Sequence, residues 1–283
     1  MCLGLRLELD EAGLVYQPGL PFSATALEHV FLQVEPGERV GIAGPVGSGK
    51  SSLLELLAGI TPPTSGQVLH DGQPVGRAGP KPGTIGLSFQ APENCLFENT
   101  VAADVAFGPG RLGLDKEEVA RRVRSALEAT GLDESFEQRH PFSLSGGEQR
   151  RVGLAGVLAL EPRALFLDEP TAYLDPAARL DLIDRLVELN EESGATVVMV
   201  GHDMDELSRF AQRLLILDAG RMVADGPAPG LLADAGLLRD HGLEPPGTVT
   251  LAGLISRAAS LPVEPFLTEE QAVEALARIM EGR

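Results

Sequence analysis

The stretch Gly44-Pro45-Val46-Gly47-Ser48-Gly49-Lys50-Ser51 constrains this chain more than any other feature. It completes the pattern G-x-x-x-x-G-K-[ST], with the strand-like run RVGIAG (Arg39–Gly44) before it and the helix-like KSSLLELLAG after it. A turn of this kind sits where a strand ends and a helix begins. Its glycines let backbone N–H groups turn inward around phosphate oxygens, and the helix N-terminus adds its dipole. Lys50 is placed to reach a β- and a γ-phosphate and Ser51 to ligate magnesium, with Ser52 next in the first helical turn as a further nucleotide contact.

The remaining apolar runs agree with a fold built around such a turn. LRLEL (Leu5–Leu9) and the Leu27–Val34 region read as strands, and TIGLSF (Thr84–Phe89), ALFLD (Ala164–Asp168), ATVVMV (Ala195–Val200) and RLLIL (Arg213–Leu217) read as buried strands, with helical stretches between the last three. This alternation predicts an α/β fold with a mainly parallel core sheet and an N-terminal antiparallel β region. Between Asn99 and Glu161 the pattern turns helical, with Val119, Val123 and Leu127 on one face and a second helix over Gly146–Leu160, so a helical subdomain is expected at about 99–161. After Gly226 proline and glycine become frequent before the amphipathic Glu269–Met280, in which Val273, Leu276 and Met280 recur at helical spacing. The expected division is one domain over 1–226 and a small helical appendage over 227–283.

Composition narrows the partners. A formal net charge of -18 opposes binding to phosphate backbones, so nucleic acid is not an expected partner. No apolar run approaches the roughly 20 residues a membrane-crossing helix needs, and the start MCLGLRLELDE lacks the form of a secretory signal. Cys2 and Cys95 form no metal or redox spacing and fit a reducing compartment.

Two further motifs carry chemistry. The run Ala164–Asp168 followed by Glu169 is a Walker B pattern, an apolar strand ending in two carboxylates. Asp168 is placed for magnesium, and Glu169 for orienting or deprotonating the water that attacks a γ-phosphate. Leu144-Ser145-Gly146-Gly147-Glu148 opens a helix that Ser145 can cap, and its bare backbone is a second candidate anion cradle.

Taken in order, GPVGSGKS, Gln90 after TIGLSF, LSGGE, ALFLDEP, the Leu174-Asp175 pair and His202 after ATVVMVG resemble the ATP-binding cassette (ABC) family from about Tyr16 to Gly226. The resemblance implies a head-to-tail pair of cassettes with two ATP molecules between them, each held by the P-loop of one subunit and the LSGGE segment of the other. On that basis Ser145 and Gly147, with Gly146 and Glu148 beside them, would meet the partner's nucleotide. Gln90 would touch magnesium and the attacking water, His202 would hold the γ-phosphate, Asp175 would link the two sites, and Tyr16 would stack on adenine. Two positions depart from the family pattern: Tyr173 stands where glycine is usual, and Gly201 where Thr or Ser is usual before the histidine.

The resemblance narrows in FQAPENCLFENTVAADVAFGP, HPFSLSGGEQRRVGLAGVLALEP, HGLEPPGTVTLAGL and LTEEQAVEAL, which look like the ATPases of energy-coupling factor transporters. The wording around LSGGE is nearer to the second of the two paired ATPases of that group. That likeness implies ATP and magnesium as cofactors. It also implies three partners: a second ATPase subunit, a transmembrane scaffold protein and a small membrane protein that captures a vitamin or a transition-metal ion. The chain would then sit at the cytoplasmic face of the membrane. Competing readings are a conventional ABC transporter ATPase, a soluble cassette ATPase acting on nucleic acid, and a small-molecule P-loop kinase. The kinase would not need LSGGE.

Overall fold

A computed structural model describes residues 4–259 and 263–281, so Cys2 lies outside the described residues. The chain opens with an antiparallel pair, β1 (Leu7–Tyr16) and β2 (Ala24–Val34), and then enters β3 (Arg39–Ala43), which feeds the glycine-rich turn and helix α1 (Lys50–Leu57). Strands β4 (Ser65–His70) and β5 (Gln73–Pro74) return to the first sheet, whose order is β2-β1-β4-β5. After β6 (Ile85–Ser88) come α2 (Val101–Arg111), α3 (Lys116–Ala129) and α4 (Gly146–Leu158). The chain continues through β7 (Ala164–Asp168), α5 (Pro176–Ser193), β8 (Thr196–Val200), α6 (Met204–Phe210), β9 (Arg213–Asp218) and β10 (Arg221–Pro227). Helices α7 (Ala228–Ala233), α8 (Ala235–Asp240), α9 (Gly247–Ala259) and α10 (Glu269–Glu281) close it.

The second sheet has the order β10-β9-β3-β8-β7-β6, parallel throughout except at its β10 edge. Its central strands are near-continuous apolar runs because both faces are covered. Successive side chains alternate between two cores. Val40, Ile42, Phe166, Val198 and Leu215 join the first sheet and α1, whereas Leu165, Leu167, Val197, Met199 and Leu214 face a core shared with the helices. The strand order puts β3 between β8 and β9, so the turn leaving β3 shares one rim of the sheet with the ends of β7 and β8.

Helix α3 forms as its periodicity predicts. Asp115 caps it by accepting from the Glu118 N–H, Val123 and Leu127 are buried, and Val119 packs partly buried beside them. The C-terminal segment is not uniform. Ala228 in α7, Leu232 in α7, Leu238 in α8 and Leu243 are buried in the main helical core, while α9 and α10 gather around a small cluster of their own, Ala252, Phe266 and Ala272. In α10 the buried face runs through Ala272 with Ala275 beside it, and Val273 is 65% exposed. Val273 therefore stands about 100° around the helix from the buried stripe on which its spacing from Leu276 had placed it.

Candidate active site

The glycine turn has the backbone its sequence demands. Gly44, Gly47 and Gly49 adopt φ of 154°, 80° and 101°, where a side chain is strained. At Gly44 a Cβ would stand 2.1 Å from the Leu217 carbonyl oxygen, and at Gly49 one would stand 2.6 Å from that of Ala26. Sterics therefore require glycine at both. Pro45 accepts from the Ser48 N–H at 3.2 Å, Val46 is fully exposed at the tip, and Ser48 is buried with its Oγ unpartnered among the described residues. Lys50 Nζ donates to the carbonyls of Gly44 and Pro45, both at 2.9 Å, which holds the ammonium over the loop. Burial lowers its pKa from the usual lysine value, against the opposing pull of Glu169 and Asp168. Tyr16, at the end of β1, meets Ser52 Oγ through its hydroxyl at 3.1 Å and leaves part of its ring exposed beside the loop.

Asp168 and Glu169 arrive at the same rim from β7. Burial raises the Asp168 pKa and Glu169 adds repulsion, while a hydrogen bond from Ser51 and the Lys50 charge favour the ionised form. Two hard oxygen donors, the Ser51 hydroxyl and the Asp168 carboxylate, are thus in contact, a donor set that suits magnesium. Glu169 has φ of 49°, and its N–H donates to the Val200 carbonyl at 3.1 Å. That turn brings its Oε1 to 3.6 Å from His202 Nδ1, on the loop after β8. The His202 side chain is 65% exposed, so it faces solvent. Gly201 before it fits tightly: an added Cβ would lie 3.3 Å from Leu207 Cδ2.

Helix α4 starts in a capping box. Glu148 N–H donates to Ser145 Oγ at 3.4 Å, and Glu148 Oε2 accepts from the Ser145 N–H at 2.7 Å. These Ser145 bonds lower the Glu148 pKa. Ser145 and Gly146 are exposed, and at Gly147 an added Cβ would lie 3.3 Å from Leu174 Cδ2. Asp175 caps α5 by accepting from the Ala178 N–H at 3.0 Å. Gln90 lies exposed just past β6. The structure therefore brings together the Gly44–Ser52 turn, Tyr16, Asp168, Glu169 and His202. Among the described residues, no hydrogen bond or ion pair joins Ser145–Glu148 to the Gly44–Ser52 turn.

Tyr173 has φ of 66° and is 87% exposed. Glycine would take that left-handed backbone at no steric cost, whereas tyrosine pays for it. Sequence reasoning assigned nothing to Arg150 or to the pair Thr171–Glu206. Thr171 Oγ1 donates to Glu206 Oε2 at 2.5 Å, Arg179 stands 3.6 Å from the same carboxylate, and burial raises the Glu206 pKa. This pair ties the segment after Glu169 to α6, the helix after His202. The available signal for Arg150 was a cation in line with Gly146, Gly153 and Val157 on the small-residue face of α4.

The ABC transporter family model matches residues 27–172. The energy-coupling factor transporter ATP-binding protein EcfA2 of Symbiobacterium thermophilum is 45% identical over 95% of this chain and 94% of its own length. This chain is an ABC transporter ATPase of the energy-coupling factor group. The EcfA2 protein of Clostridium perfringens is 37% identical over 98% of this chain and 99% of its own length. Among solved structures, cbiO1 of Clostridium perfringens, part of the ABC transporter complex cbiONQ, superposes with a TM-score of 0.75 at 32% identity, covering 90% of this ATPase and 98% of that chain. A dimeric ATP-binding cassette in a post-hydrolysis state bound to ADP and Pi gives a TM-score of 0.72 at 31% identity over 78% of this ATPase and 98% of that chain. No helix among the described residues of this family member is long and apolar enough to cross a membrane.

Proposed function

We propose that this ATPase works as one half of a cassette pair at the inner face of the membrane, driving uptake of a vitamin or transition-metal ion through separate membrane subunits. The observation that carries the reading is that one chain holds two candidate anion cradles, the Gly44–Ser52 turn and the Ser145 helix start, with no hydrogen bond or ion pair between them among the described residues. Each needs a complement that a second cassette supplies. A dimeric neighbour holding ADP and Pi, and another belonging to a membrane transporter complex, support the same arrangement. The EcfA2 names of its relatives support the second type for this ATPase.

Within such a site the Gly44–Ser52 amides and Lys50 bind the phosphates, and Tyr16 supports adenine. Ser51, Asp168 and Gln90 would hold magnesium, which would supply positive charge to offset that of the phosphates. Glu169 accepts the proton of the attacking water as the bond from the γ-phosphorus to the leaving oxygen breaks, and His202 steadies the γ-phosphate. The partner's copy of the Ser145–Glu148 segment closes over the same phosphate, and Asp175 connects the two sites.

The test is the solution mass of Glu169→Gln with and without ATP and magnesium, because blocked hydrolysis traps a closed pair. A doubled mass supports a self-pair. A monomer that binds ATP directs the search to a different cassette as partner. Failure to pair with any related cassette, or failure to co-purify with membrane proteins when expressed with its genomic neighbours, overturns the transport reading.

A further inference from the structure

Helix α4 carries a buried cation, Arg150, which is 3% exposed. Its Nη2 donates to the carbonyl oxygen of Gln90 and reaches that of Glu169 at 3.5 Å. Its Nη1 stands 3.9 Å from Glu93 Oε1, and the Tyr173 ring covers the guanidinium at 5.4 Å. Two of these partners are the backbones of Gln90 and Glu169, the residues assigned to the attacking water; Glu93 lies in the 3₁₀ turn Pro92–Cys95 that follows Gln90. Gly153 lets the helix come this close, since on the same face a Cβ there would stand 2.7 Å from the Pro92 carbonyl oxygen. A planar guanidinium can serve both carbonyls from one fixed fork, which a lysine ammonium does less well. Burial keeps water from competing for those bonds.

We infer that Arg150 is a positioning residue: it fixes the main chain at Gln90 and Glu169 to the helix that begins at Ser145, so that any shift of α4 moves both loops together. The inference rests on the ATPase reading above and adds to it a physical link between the Ser145 helix and the loops that carry Gln90 and Glu169. Ser145 and Arg150 are five residues apart, about 7.5 Å along the helix axis, so the seat taken by the helix start is passed directly to the hydrolytic residues.

The test compares Arg150→Gln and Arg150→Lys with the parent chain, each paired with its cassette partner. For Arg150→Gln, kcat is expected to fall on the order of a hundredfold, as small misplacements of reacting groups do, with KM for ATP changed by less than about twofold. Amide exchange should quicken in peptides spanning 88–95 and 168–173 and stay unchanged across 44–52. Arg150→Lys should give an intermediate kcat with faster exchange in the same two peptides, and it carries the test alone if the glutamine variant does not fold. Unchanged kcat, or exchange that rises throughout the chain while the lysine variant matches the parent, overturns the inference. A parent chain that hydrolyses no ATP with any partner overturns the ATPase reading instead.

Discussion

Asp168 shows how one side chain trades stability for chemistry. Burial holds its pKa above the ordinary aspartate range, so the folded protein binds that proton more tightly than the unfolded chain does. Stability therefore falls as pH rises from the ordinary value through the raised one, and the penalty remains in full above it. Asp168→Asn should melt higher than the parent at neutral pH without nucleotide, with the gap closing as pH drops toward the ordinary aspartate range. ATP with magnesium should stabilise the variant less than the parent. Calorimetry over pH checks both, and a variant that melts lower at neutral pH refutes the desolvation account. Identities such as Asp168 and Lys50 were legible in the sequence because their motifs are local. The Arg150 partner Gln90 lies 60 residues away and the Glu206 partner Thr171 lies 35 away, separations that no short pattern encodes.

At the scale of elements, the start of α4 carries two duties that one substitution can separate. Ser145→Ala removes the cap and should cost about 0.5–2 kcal/mol in a denaturant titration. If Ser145 also contacts the partner's nucleotide, ATPase activity of the pair should fall far more, on the order of a hundredfold. Activity that falls only in step with stability would leave Ser145 as a cap alone. Strands and helices were readable where period and caps agree, as in β7, β8 and α3. The face of α10 was misplaced at Val273, which is exposed although it lies at helical spacing from the half-buried Leu276, while two small alanines, Ala272 and Ala275, do the packing. Small residues carry little hydrophobic signal, so the pattern pointed to the larger ones.

For the whole molecule, the place where the C-terminal segment is cut decides whether the rest survives. Leu232 and Leu238 are fully buried in the main core, and losing a buried leucine costs about 2–5 kcal/mol. A chain ending at Gly226 should be poorly soluble or unfolded, whereas one ending at Pro246 should fold and bind ATP, as thermal melts with and without nucleotide would show. If both truncations melt alike, α7 and α8 are not integral to the core. The sheet order has a different consequence, one of timing. Strand β3 is hydrogen-bonded on one side to β8 and on the other to β9. A ribosome that has reached Asn190 has already made the phosphate turn but neither of the strands that flank its base. Nascent chains thus cannot set this turn until most of the polypeptide has emerged, and ATP binding becomes a late mark of completed synthesis.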